Sequence, residues 1–234
     1  MVPFRTRLSA LQILIHIGAW IPLGVLVYDF FTGHLTINPI QAAEIRTGDI
    51  ALTLLALSLA CTPLFTLTRR SQVIKVRRAL GLYAYMYAAI HLLIFTWVDY
   101  GLDLQLILQD VNKKPYIIVG LISFLSLSLL AATSFRSWQA RLGKNWKRLH
   151  QLIYMIILLV ILHFGWSVKG DFFRLRGDIF RPLAAGVIIL LLLAFRIPAI
   201  RRSIAGQRQV RKTAERQSAK DSPHANVSEN QSQG

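Results

Sequence analysis

Six long apolar runs, separated by short polar stretches, constrain this chain more than any other feature. They cover roughly residues 8–31, 48–68, 79–100, 115–135, 149–167 and 179–199. Each is long enough, at about 1.5 Å per helical residue, to cross a hydrocarbon core of about 30 Å. In that medium every backbone N–H and C=O must be satisfied internally, so such runs fold as helices. Charged residues make up only 16% of the 234 positions, against about a quarter in soluble domains, and they are bunched between the runs. An ordinary water-soluble globule and a disordered chain are both excluded. The expectation is an all-α polytopic membrane protein, a bundle of six transmembrane helices. The first run follows Arg5 and Arg7, exceeds the apolar stretch of a secretory signal and lacks a small-x-small cleavage site. It is therefore expected to be retained.

The net charge of +16 would suit a nucleic-acid binder, but its distribution argues for membrane orientation instead. With the N-terminus inside, the inner segments 1–7, 69–78, 136–148 and the tail from Arg196 hold 20 Lys and Arg against 3 acids. The outer segments hold 7 Lys and Arg against 8 acids. This asymmetry places both termini in the cytoplasm, and no nucleic-acid partner is expected. Residues 1–200 read as one membrane domain. Residues 201–234 read as a basic, disordered tail suited to anionic lipid headgroups. No Gly-rich phosphate loop and no internal repeat are visible. The single cysteine, Cys61, excludes a disulfide framework and a Cys-based zinc or iron–sulfur site.

The chemistry lies in the histidines. His34 and His224 fall in polar segments and read as solvated. His16, between Ile15 and Ile17, reads first as an interhelical hydrogen bond, with a quinone or haem-edge contact as the alternative. His91, on the third run, and His150 and His163, on the fifth, are different, because imidazoles inside spans are costly and point to function. Two imidazoles from facing helices make a six-coordinate b-type haem site, and without Cys-x-x-Cys-His any haem is non-covalent. His91 lies 13 residues after Arg78 and His163 lies 15 after Arg148, so both reach roughly 20 Å above the inner face. His150 sits about 20 Å lower, where the third run offers Arg77 and Arg78. One bis-His haem between His91 and His163 follows, and a second haem at His150 lacks an ordinary partner. On an ideal straight helix His150 and His163 lie on different faces, so both could serve one stack only if the helix were tilted or bulged. The competing reading is three polar residues that glue helices together.

A resemblance sharpens this. The chain reads Arg77-Arg78-Ala79-Leu80-Gly81-Leu82 and then His91. Later it reads Trp146-Lys147-Arg148-Leu149-His150-Gln151-Leu152-Ile153-Tyr154 and then His163. Trp-x-x-Leu-His-x-x-x-Tyr with a second His 13 residues on resembles the ferric reductase-like transmembrane domain of NADPH oxidases and ferric reductases. Over about 200 residues the chain is more similar still to the haem-binding membrane subunits of bacterial protein-methionine-sulfoxide reductase systems. Arg46-Thr47-Gly48, Thr62-Pro63-Leu64, Lys114-Pro115-Tyr116 with Gly120, and Trp166-Ser167-Val168-Lys169 extend the likeness.

The resemblance implies haem b, FMN, and an inner-membrane location. It also implies electrons drawn from the quinone pool or a cytosolic flavin reductase and delivered to an MsrP-like periplasmic molybdopterin enzyme that repairs methionine sulfoxide. The oxidase relatives carry two histidines on the third helix where this chain has His91 alone, and their FAD/NADPH domain has no counterpart here, so an external donor is expected. Arg77 and Arg78, with Lys144, Lys147 and Arg148, are candidates for haem propionates or an FMN phosphate, or are simply the positive-inside charge. Nothing in the sequence offers the chemistry of methionine sulfoxide reduction itself. Two other functions compete: a stand-alone ferric reductase, and a small proton-linked transporter without haem.

Overall fold

The structure is a computed structural model that describes residues 9–168, 170–171, 176–177, 179–196 and 217–218. The chain divides into two units, Met1–Leu192 and Leu193–Gly234. Nearly all the described residues belong to the first unit, and the tail expected over 201–234 lies almost wholly outside them.

Helix α1 spans Ala10–Thr32, capped by Ser9, whose side chain accepts from the Gln12 N–H while the Gln12 side chain returns a bond to Ser9. This reciprocal box satisfies two of the N–H groups that a helix start leaves open. Helix α2 spans Pro39–Thr68 behind an Asn38 cap, with proline at the first turn, where no N–H is needed. It begins nine residues before the apolar run, because the cap and not the hydropathy sets the start. Helix α3, Ser71–Leu93, continues into a π-helical turn, Ile94–Asp99. Helix α4, Leu104–Lys113, meets α5, Tyr116–Ala132, at a bend of 112°. Two short helices follow, α6 over Arg136–Leu142 and α7 over Lys144–Leu149. A 3-10 turn at His150–Leu152 then leads into α8, Ile153–Ser167. A two-residue antiparallel bridge pairs β1, Gly170–Asp171, with β2, Arg176–Gly177. Helix α9 is Phe180–Ala194.

Among the described residues four helices are long and apolar enough to cross a membrane: Ala10–Thr32, Pro39–Thr68, Ser71–Asp99 and Lys144–Ser167. The bent pair α4–α5 makes a fifth if taken as one span. The last expected run appears as the 15-residue α9, about 23 Å long, and positions 197–199 of that run fall outside the described residues. The chain is thus a multi-pass, predominantly helical membrane protein.

Two helix pairs organise the bundle. The most extensive packing is α2 against α3, and the next is α5 against α8, with α3 touching α5 between them. Lipid is as apolar as leucine, so burying hydrocarbon alone does not hold such helices together; close packing and interhelical hydrogen bonds do. Cys61, Val76 and Leu80 form a buried cluster between α2 and α3, with Leu54, Val73 and, from α1, Leu11 and Ile15 packed against it. Ser58 Oγ donates to the Arg77 carbonyl at 2.9 Å, and Tyr87, fully buried, donates to the Ala19 carbonyl at 2.7 Å. Tyr85 stacks on Phe124, joining α3 to α5. Hydroxyls without a partner helix, such as those of Thr53, Ser123 and Ser128, bond the carbonyl four residues back, which satisfies them where no water reaches.

The α4 helix is not among the elements expected from the apolar runs. Leu104, Ile107, Leu108 and Val111 recur at helical spacing on one side of it, as in a helix lying along an interface. A cluster pins it to its neighbours: Asp110 accepts from Lys114 Nζ at 2.5 Å and from the Tyr100 hydroxyl. The Lys114 ammonium, then the Tyr100 hydroxyl, hold the Asp110 carboxyl below its usual range, and Asp110 in turn raises the Lys114 pKa. A depressed carboxylate contributes stability that is present above the ordinary pKa of 3.8 and is lost as pH falls through its lower folded value. Unfolding of detergent-solubilised protein followed from pH 6 down to about pH 3 should therefore show a small loss that Asp110→Asn removes. Equal pH slopes for the two proteins would refute this role.

Candidate metal centre

His91 lies on α3, two residues before its end, and α2 stands behind it. Its Nδ1 donates to the Glu44 carbonyl at 2.9 Å, with the Thr47 hydroxyl at 3.5 Å. His163 lies on α8 with α5 behind it, and its Nδ1 donates to the Tyr116 carbonyl at 2.8 Å. A backbone carbonyl can only accept. Each imidazole therefore carries its proton on Nδ1 and leaves Nε2 as a bare lone pair, the form in which histidine binds a metal. No described residue is bonded to either Nε2.

The two rings face one another across the bundle. Their centres are 6.3 Å apart and their planes nearly perpendicular, at 85°. A metal bound by both nitrogens at about 2 Å each, with about 1 Å more to each ring centre, needs about 6 Å. Among the described residues no group of three or more His, Cys, Asp or Glu side chains gathers at one point. The donor set is thus two neutral imidazoles, which suits an iron whose other four ligands come from a porphyrin.

A glycine stands against each ring, and one of the two is required to make room. A Cβ on Gly120 would lie 2.7 Å from His163 Cε1 and 2.8 Å from its Nδ1, closer than real atoms approach. A Cβ on Gly48 would lie 3.5 Å from His91, an ordinary contact. Each glycine stands four residues after the carbonyl that its histidine uses, Gly48 after Glu44 and Gly120 after Tyr116. The Glu44 side chain is itself only half-buried, yet its Oε1 is shielded from solvent and has no hydrogen-bond partner among the described residues.

The remaining candidates sit elsewhere. His150, in the 3-10 turn, is tilted against Trp146 with ring centres 4.3 Å apart. Its Nε2 lies 3.2 Å from Thr133 Oγ1. That hydroxyl already donates to the Leu129 carbonyl, so it accepts from His150. Trp146 Nε1 donates to the Thr133 carbonyl at 2.9 Å. His150 therefore belongs to a separate cluster of α5, α7 and the 3-10 turn, apart from the His91–His163 pair. Arg77 lies within electrostatic reach of His150, while the exposed Arg78 places its guanidinium over Phe135. His34 bonds Thr32, and His16 bonds Tyr83.

Reasoning from sequence missed Glu44, Tyr116, Gly48, Gly120, Thr133 and Trp146 as the supports of these rings. A signal was present for four of them, since Arg46-Thr47-Gly48, Lys114-Pro115-Tyr116 with Gly120, and the Trp146 that opens the Trp-x-x-Leu-His motif carry part of the family resemblance.

Residues 47–161 match the family described as ferric reductase like transmembrane component; the match includes His91 and His150 and stops just short of His163. That defines the class, a membrane domain of ferric reductase type. The chain is 38% identical over 196 residues to the "Protein-methionine-sulfoxide reductase heme-binding subunit MsrQ" of Herminiimonas arsenicoxydans, covering 83% of this chain and 88% of that protein. It is 40% identical over 198 residues to the protein of that name from Xanthomonas axonopodis pv. citri (82% and 88%), and 39% over 165 residues to that of Bordetella pertussis (70% and 78%). The chain belongs to the MsrQ family.

The glycines yield a differential test. Gly120→Ala should displace the His163 ring and lose most of the haem that copurifies, whereas Gly48→Ala should retain it, as read from the Soret absorbance per protein. Equal retention by both would refute the packing argument.

Proposed function

We propose that this chain is a b-type membrane cytochrome of a protein-methionine-sulfoxide reductase system, in which His91 and His163 would hold the iron of one haem. The observation that carries this reading is the pair of bare Nε2 atoms, each fixed by an Nδ1–H bond to a carbonyl of the neighbouring helix, on rings 6.3 Å apart. The names of its relatives support it, since they describe a haem-binding subunit. Bound there, haem supplies a one-electron iron couple whose potential depends on axial ligands, burial and nearby charge.

The chain's own part is positional. The α2–α3 pair holds one ring and the α5–α8 pair the other, and the neutral tautomer of each is set by backbone atoms that no pH change can titrate. The rest of the reading is topological. Six crossings in a bacterial inner membrane, with both termini cytoplasmic, would place the pair toward the periplasmic side. Electrons from a quinol or a cytosolic flavin reductase would then leave outward to an MsrP-like molybdoenzyme. The inner basic residues Arg77, Arg78, Lys144, Lys147 and Arg148 are assigned to an anionic cofactor such as the phosphate of FMN, by charge-assisted bonds. His150 is assigned a positioning role at the inner end, through Thr133 and Trp146.

Haem-to-protein ratios and reduced-minus-oxidised spectra of purified variants test the reading. His91→Ala and His163→Ala should each lose most of the haem, while His150→Ala should keep it with a smaller, distinct spectral change. Comparable haem in all three variants would reject the ligand assignment. A colourless, folded wild-type protein would favour the transporter reading.

A further inference from the structure

The seam between α1 and α3 carries two tyrosines one turn apart that behave differently. Tyr87 is fully buried and its hydroxyl donates to the Ala19 carbonyl at 2.7 Å, an ordinary interhelical tie. Tyr83 is only half-buried, and its hydroxyl lies 2.8 Å from Nδ1 of His16, which is exposed. No described residue bonds His16 Nε2. His16 is the one polar member of a face otherwise made of Ile13, Leu14, Ile17, Trp20 and Ile21, all 47–66% exposed. In a membrane this face meets lipid, so a ring nitrogen there lacks a partner at a depth where an unmade hydrogen bond is costly. Tyr87 already ties the seam, so the outward-facing pair is not needed to hold α1 on α3.

The geometry points to a binding site for the headgroup of a membrane quinone or quinol at His16 and Tyr83; this rests on the quinol arm of the donor reading above. Three observations select that chemistry. The free partners are a hydrogen-bonding imidazole nitrogen and a phenol oxygen, which match the oxygens on a quinone ring. Trp20 and His16 both stand edge-on to Tyr83, with ring centres 6.4 and 5.7 Å away, forming an aromatic corner for a planar ring. Ile13, Ile17 and Ile21 follow one another at four-residue steps, a greasy stripe along α1 for an isoprenoid tail. Tyr83 lies five residues beyond Arg78, roughly 8 Å deeper than the inner basic belt. That is below the level of phosphate headgroups and within reach of a ring that partitions into hydrocarbon.

Photoaffinity labelling tests it on the full chain in phosphatidylcholine nanodiscs, with azido-ubiquinone bearing a decyl tail as the probe. Label should map by mass spectrometry to peptides from Ala10–Thr32 and Ser71–Leu93. It should be displaced by unlabelled decylubiquinone and not by added phospholipid. His16→Ala and Tyr83→Phe should each lower saturable labelling by about tenfold with haem content unchanged; Tyr83→Phe removes a single oxygen and guards against a folding artefact. Displaceable label elsewhere, or unchanged labelling in both variants, overturns the site while the quinol reading stands. Label displaced by phospholipid means a lipid site and overturns it too. No displaceable label on wild-type protein overturns the quinol reading together with the site.

Discussion

An imidazole N–H bonded to the main-chain carbonyl of a neighbouring helix, made once by His91 and once by His163, is the interaction on which the centre depends. As a hydrogen bond it contributes only about 1 kcal/mol net. Its larger effect is chemical, because it decides which nitrogen is left bare. A side-chain acceptor could rotate away or change charge, whereas a helical carbonyl has a fixed direction and no titration. The cost is spatial: a ring that reaches a carbonyl inside a helix must lie against that helix, and the residue one turn on must then be small. Gly120 meets this condition with no room to spare, and Gly48 with some.

The same device is built twice. Glu44 and His91 are 47 residues apart, and so are Tyr116 and His163. In each case one helix of the pair presents the carbonyl and the other presents the ring. The correspondence does not extend to the starts of the two ring-bearing segments. His150 stands thirteen residues before His163, and the residue thirteen before His91 is Arg78. One half thus carries an imidazole where the other carries a guanidinium, and the imidazole is bonded to Thr133 and wedged on Trp146. The two halves are alike at the His91–His163 pair and unlike thirteen residues before it.

Much of this is legible in the amino-acid order. Hydropathy locates the apolar runs, and depth counted from the flanking arginines is enough to pair His91 with His163. The helix starts are less legible, because Asn38 and Pro39 begin α2 well outside the apolar run, where capping and not burial decides. The α4 helix escapes a hydropathy reading because its five apolar positions are too few for a span, and four of them show only as a periodicity. The carbonyl bonds escape it because a main-chain acceptor leaves no mark on residue type, and its only trace is the glycine that accompanies it. The repeat is hidden for the same reason: it is a repeat of geometry, and Glu44 and Tyr116 share no side-chain chemistry.

The π-helical turn at Ile94–Asp99 begins three residues beyond His91. Such a turn holds one residue more than the α-helical ladder around it, so it acts as a phase shifter. Below it, α3 keeps the register that aims the imidazole inward. Above it, Trp97 and Val98 emerge rotated relative to that register and exposed. The surface beyond the turn can thus be re-aimed by gaining or losing a single residue in it, with α3 undisturbed, and the chain separates the stretch that positions the His91 ring from the exposed stretch that follows it.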